Sequence, residues 1–161
     1  MHVTTRAGLL IIGLAVTLAA FPYFTLAQDK PADTMQLVRD KIRTDKKLFI
    51  AEHMQLTELE AKTFWPVYER YQQEMNALND RMIKLIEDYA TNYQTMSDQT
   101  AKRLVDESLA IEAARLKLRQ AYLPRFRKVL REKQVARYYQ LENKVQAAVS
   151  YELAAEIPLV K

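Results

Sequence analysis

No glycine follows Gly13 in a chain of 161 residues. Whatever folds beyond that point does so without the one residue that reaches positive φ at no steric cost or lets another backbone approach closely. Gly-rich phosphate loops, dinucleotide fingerprints, the Gly-x-Ser-x-Gly elbow and tight Asn-Gly hairpins are excluded together. Cysteine is absent as well, which removes thiolate catalysis, Cys zinc sites, disulfides and a lipid-anchored lipoprotein.

Both glycines fall in a segment with export character. Arg6 precedes an apolar run from Ala7 to Ala20, and Thr25-Leu26-Ala27 places small residues before the polar Gln28-Asp29-Lys30. This pattern predicts a signal peptide over 1–27, cleaved after Ala27, and a single domain over 28–161. The rival reading is an uncleaved anchor, since Ala7 to Ala27 is long enough to span a bilayer; Pro22 and the small-x-small exit favour cleavage. The whole chain carries 24 Lys+Arg against 20 Asp+Glu, and loss of Arg6 leaves it mildly basic. That excess gives no reason to expect a nucleic-acid partner, from which export would separate the protein in any case.

Beyond residue 28 the apolar periodicity is helical throughout and nothing alternates in the manner of a strand, so the fold class is all-α. A first helix is expected from about Asp33 to His53. Thr57 and Glu60 form a capping box that opens a long second helix. Its apolar positions, Phe64, Tyr68, Tyr71, Met75, Leu78, Met82, Leu85 and Tyr89, keep a 3.5-residue seam expected to be core or dimer interface. Pro66 predicts a kink near Thr63. Ser97-Asp98 caps a third helix whose inner face is read as Leu104, Ser108, Ile111, Leu118 and Tyr122, broadened by Val105, Leu109, Leu116 and Leu123. Pro124 is expected to bend or interrupt it, and the pattern then runs to about Glu156. The whole is expected to be long, kinked helices in an extended antiparallel hairpin.

Catalysis has little to work with. After residue 27 there is one histidine, His53, and three serines, Ser97, Ser108 and Ser150, too few for a hydrolase triad. No Glu-x-x-His pair is present for a di-iron bundle. His53, with Glu52, Met54 and Glu58 nearby, is a weak metal candidate, because transition-metal sites recruit several imidazoles or thiolates; the alternative is a surface histidine at a helix C-terminus. No cofactor and no enzymatic activity are expected.

The most distinctive chemistry is the distribution of charge. Arg115, Lys117, Arg119, Arg125, Arg127, Lys128, Arg131, Lys133 and Arg137 enclose a single acid, Glu132. One reading is charge pairing between helices. The other is a basic surface interleaved with Tyr122, Leu123, Phe126, Val129, Tyr138 and Tyr139 that holds an acidic, partly apolar partner.

Leu56-Thr57-Glu58-Leu59-Glu60, opening a long helix in a cysteine-free chain behind a signal peptide, resembles the Leu-Thr-x-x-Gln motif of the Spy/CpxP family of periplasmic chaperones and stress regulators. Leu130-Arg131-Glu132-Lys133-Gln134 is similar to a second copy. The motif residues are Leu56, Thr57, Glu60, Leu130 and Gln134, with Glu60 standing for glutamine and Arg131 for threonine. Arg131 leaves open whether the third helix continues through Leu130 or restarts there. The resemblance implies a periplasmic, cradle-shaped antiparallel homodimer whose basic and apolar concave face binds unfolded clients without ATP. Arg115, Lys117, Arg119, Tyr122, Arg125, Phe126, Arg127, Lys128, Arg131 and Tyr138 are the expected client-binding residues. A metal- or stress-responsive regulator acting on an envelope sensor, and a structural coiled-coil adaptor, are the alternatives; the metal-binding branch is His-rich, whereas here only His53 remains.

Overall fold

The computed structural model describes residues 44–160, so the predicted signal peptide and the start of the first helix lie outside the described residues. These residues form four α-helices and no strand: α1 over 44–54, α2 (Glu58–Asn92), α3 (Asp98–Arg127) and α4 (Glu132–Glu156), with a 3-10 turn at Tyr93–Thr95. The described residues are all-helical, as the periodicity predicts.

Local chemistry sets the helix ends. Thr57 Oγ1 accepts from the Glu60 N–H at 3.3 Å while a Glu60 carboxylate oxygen accepts from the Thr57 N–H at 3.0 Å, the two halves of the predicted capping box. Ser97 Oγ accepts from the Thr100 N–H at 3.1 Å and opens α3 as expected. At the other end of α2, side chains replace the usual glycine device. Thr91 Oγ1 donates to the Glu87 carbonyl at 2.8 Å and Asn92 Nδ2 to the Asp88 carbonyl at 2.7 Å. Between α1 and α2 the backbone does enter the left-handed region, at Gln55 with φ 50°. A glycine would ordinarily serve there.

Both proline expectations meet continuous helices, for α2 runs through Pro66 and α3 through Pro124. The interruption expected at Pro124 comes instead at residues 128–130. Pro124 lies in the last turn of α3, where it removes the N–H that would bond to the Gln120 carbonyl and crowds that carbonyl with its ring, yet the helix runs on to Arg127. The turn tightens with Val129 and Leu130 N–H groups both reaching the Phe126 carbonyl, at 3.0 and 2.9 Å. Arg131 then adopts extended backbone and α4 begins.

As residue numbers rise along α2 they fall along α3: Phe64 meets Phe126, Glu74 meets Tyr122, Asn79 meets Arg115, and Asp88 meets Arg103. Along α4 they rise with α2: Tyr68 meets Tyr138, Gln72 meets Glu142, and the Tyr89 hydroxyl donates to the Pro158 carbonyl at 2.6 Å. The core is aromatic. Phe64, Tyr68, Tyr71, Tyr122, Phe126 and Tyr138 are buried and share ring contacts, with Phe126 and Tyr138 centroids 4.5 Å apart. Ile50 and Met54, one turn apart on α1, close this core from the side. The first half of the α2 seam, Phe64 to Met75, is thus consumed within one chain, while Met82, Leu85 and Tyr89 are half-buried.

Candidate functional site

The basic tract does not form the mixed surface expected of it. Tyr122, Phe126 and Tyr138 are 1%, 0% and 0% exposed, so the rings proposed to meet a client are the core itself. Tyr139 and Leu123 are half-buried beside them. Cations and rings alternate along the sequence, but around the helix the rings take the covered face, while Lys117, Arg125, Arg127 and Lys128 remain exposed. Burial raises the Tyr138 hydroxyl far above the ordinary phenol range, with the Glu142 carboxylate adding to the effect.

The cations divide into three sets. Arg115 is half-buried: Nη2 donates to Asn79 Oδ1 at 2.8 Å, Nε is buried without a partner, and desolvation lowers the guanidinium's pKa. Arg119 donates to Asn143 Oδ1 at 2.7 Å and lies over the Tyr139 ring. Arg127 pairs with Glu132 at 3.0 Å, and Arg131 with Glu60 at 3.3 Å. Lys117, Arg125 and Lys128 are exposed and form no ion pair among the described residues. Charge pairing between helices accounts instead for the far end of α2 and α3, where Arg81 meets Glu107 at 2.9 Å and Arg103 meets Asp88 at 3.1 Å.

The two motif copies come together. Glu60 Oε1 accepts from Gln134 Nε2 at 2.9 Å and from Arg131 at 3.3 Å, while Gln134 Oε1 accepts from the Arg131 N–H at 3.0 Å. Half a capping box therefore suffices to restart the chain as α4, and the two departures from Leu-Thr-x-x-Gln neutralise each other: the extra anion at 60 sits on the extra cation at 131. Leu130 is buried and Leu56 half-buried beneath them. The Thr57 N–H first, then the Gln134 amide and the Thr57 hydroxyl, pull the Glu60 carboxyl down to about 2, with Arg131 contributing. A depressed folded-state pKa gives stability that is present above the unfolded value and lost as pH falls through the folded one. Glu60→Gln is therefore expected to flatten the loss of thermal stability between about pH 4.5 and pH 2. Melting curves of the two proteins that stay parallel across that window would contradict this.

No family model, no curated protein and no solved structure matches this chain.

His53 is exposed, its Nδ1–H donating to the Phe49 carbonyl at 2.8 Å with its ring against that of Phe49. Among the described residues no group of three or more His, Cys, Asp or Glu side chains is arranged to hold a metal ion, and no helix is long and apolar enough to cross a membrane.

Two features escape the sequence reading. Val105, Leu109 and Leu116, expected on the inner face of α3, are 57%, 58% and 57% exposed. With exposed Ala113 between them they form an apolar row on the outer face, flanked by the Lys102–Asp106 pair, Glu112 and Lys117. The inner positions are taken by Leu104 and Ile111 alone in that stretch, because the thin contact with α2 has room for one row. The second feature is polar. Lys46 Nζ donates to Glu142 Oε2 and to Gln72 Oε1, both at 2.9 Å, and Gln72 Nε2 donates to Glu142 Oε1 at 3.0 Å, joining α1, α2 and α4. Gln72 and Glu142 lie four residues after the buried Tyr68 and Tyr138, and that position on a buried face is the signal that marks them.

Proposed function

We propose that this chain is an exported, non-enzymatic holding protein that binds unfolded or partly folded proteins of the periplasm without ATP. The observation that carries the reading is the row Val105, Leu109 and Leu116, three branched aliphatic side chains left in solvent on one face of α3 and bordered by charge. A holdase needs exposed apolar area to recognise unfolded chains and nearby charge to remain soluble. Leu104 and Ile111, buried on the opposite side of the same stretch of α3, keep that row turned outward, and the absence of glycine from the described helices removes any nucleotide loop to drive release. The client-binding surface is thus reassigned from the buried rings of the basic tract to the outer face of α3, with Lys117 at its edge.

In this reading α2 and α3 form an antiparallel hairpin arm, bent where Pro66 and Pro124 come level with each other beside the Phe64–Phe126 contact. Two such arms associate as a homodimer that gathers their outer rows into one cradle. The family resemblance supports this arrangement, as does the continuous apolar spacing of the row.

The test replaces Val105, Leu109 and Leu116 together by glutamine, which keeps helix propensity and removes the apolar row. Binding of unfolded client is expected to weaken at least about tenfold, with helicity and melting temperature retained, since each lost aliphatic contact forfeits on the order of 1 kcal/mol. Undiminished delay of aggregation by the triple variant at low salt would remove the reading.

A further inference from the structure

Pro66, Val67, Arg70, Tyr122 and Arg125 line a shallow cavity of about 140 Å³ between α2 and α3. Its floor is apolar, made by the proline ring and the valine, with the buried Tyr122 ring behind the Arg125 guanidinium. Two guanidinium groups stand at its rim. Arg125 is held there by stacking, its Cζ 4.4 Å from the Tyr122 ring centroid, which leaves the N–H edge of its fork free to donate.

Neither arginine forms an ion pair among the described residues, in contrast to Arg81, Arg103, Arg127 and Arg131, which each have a carboxylate. The acid at this site, Glu74, accepts the Tyr122 hydroxyl at 2.5 Å. Burial and the Glu74 carboxylate raise the Tyr122 hydroxyl's pKa while Arg125 and Arg70 pull against that rise, so both guanidiniums lie close to the same hydroxyl. With one carboxylate, Glu74, beside two guanidiniums, the cleft keeps a net positive charge that an entering anion relieves. The volume, equal to a few water molecules, accommodates a carboxylate with its short alkyl stem and is too small for a nucleotide.

We propose that this cleft is a clasp for an acidic side chain of a bound protein segment, Arg70 and Arg125 holding the carboxylate while Pro66 and Val67 receive an adjoining apolar group. The clasp deepens the holding function proposed above and rests on it, giving the protein a preference for segments in which Asp or Glu neighbours a hydrophobic residue. Such pairs gain from charge-assisted, forked hydrogen bonds that a neutral amide cannot match.

Fluorescence anisotropy with two labelled peptides tests this, one containing Leu-Glu-Phe and the other Leu-Gln-Phe in otherwise identical sequences. The protein is expected to bind the acidic peptide about five- to tenfold more tightly at low salt, the range for two partly exposed ion pairs. Arg70→Gln and Arg125→Gln should each reduce that preference, and the double variant should abolish it. Lys62→Gln, an exposed cation of α2 outside the cleft, should leave it intact. Equal affinity for the two peptides, no binding of either, a preference that survives in the double variant, or one that Lys62→Gln removes equally, would overturn the clasp. Aggregation assays on the α3 row variant judge the holding function separately, so the two can fail independently.

Discussion

Phe126→Ala is expected to destabilise the protein by about 3–5 kcal/mol, the larger of the effects argued here. Phe126 has no exposed surface and its ring meets those of Phe64, Tyr71, Tyr122, Tyr138 and Tyr139, at centroid distances from 4.5 to 6.2 Å. Truncation removes one member of every pair and leaves a cavity that α2, α3 and α4 cannot all close at once. A domain of this size has only about 5–15 kcal/mol in total, so the melting temperature should fall by at least about 10 °C. Arg125→Ala, one residue away, exposed and stacked on the Tyr122 ring, should cost no more than about 1 kcal/mol. Circular dichroism melts of the two variants distinguish a core role for the ring from a surface role: a Phe126→Ala protein that melts within a few degrees of the parent would mean that the ring is not part of the packed core.

The contrast between neighbours 125 and 126 also shows where reading from sequence succeeds. Caps are local, and Thr57, Glu60 and Ser97 act as their side-chain chemistry requires, because the partner of each lies three residues away on the same chain. The helical class and the seam from Phe64 to Met75 follow from periodicity for the same reason. The basic tract failed as a surface because proximity in sequence was taken for proximity in space. Tyr122 and Phe126, four residues apart, share the covered face of α3, which leaves their rings no outward surface, while Arg125 packs over Tyr122 and Arg127 stays exposed. The fate of Val105, Leu109 and Leu116 was not legible, since α3 is apolar on two sides there and only its partner decides which side is covered. The Glu60–Arg131 pair was out of reach for a further reason: it joins positions 71 residues apart, and each looks like a defect in its own motif.

Lys46→Met is expected to cost about 3 kcal/mol. Lys46 and Glu142 retain only 19% and 10% of their side-chain exposure, and Nζ stands 2.9 Å from both Glu142 Oε2 and Gln72 Oε1. Taking two charges out of water is repaid only while they stay paired, so removing the cation leaves a carboxylate that water cannot fully solvate. The residual exposure keeps the cost at the lower end of the range for buried pairs. The Gln72 amide still donates to Glu142 Oε1 at 3.0 Å, but one neutral donor does not replace an ammonium. Adding Glu142→Gln to Lys46→Met should therefore restore about half of the loss, since it removes the stranded charge and keeps an acceptor and a donor for Gln72. Trp65, the chain's one tryptophan, lies under Lys47 Nζ at 5.3 Å, which makes its fluorescence a reporter of α1 docking beside helicity as a reporter of the whole. Because the network ties α2 to α4 as well as holding α1, urea transitions followed by both signals should shift to lower midpoint together. A tryptophan transition that moves alone, with the helicity transition unchanged, would instead confine Lys46 to anchoring α1.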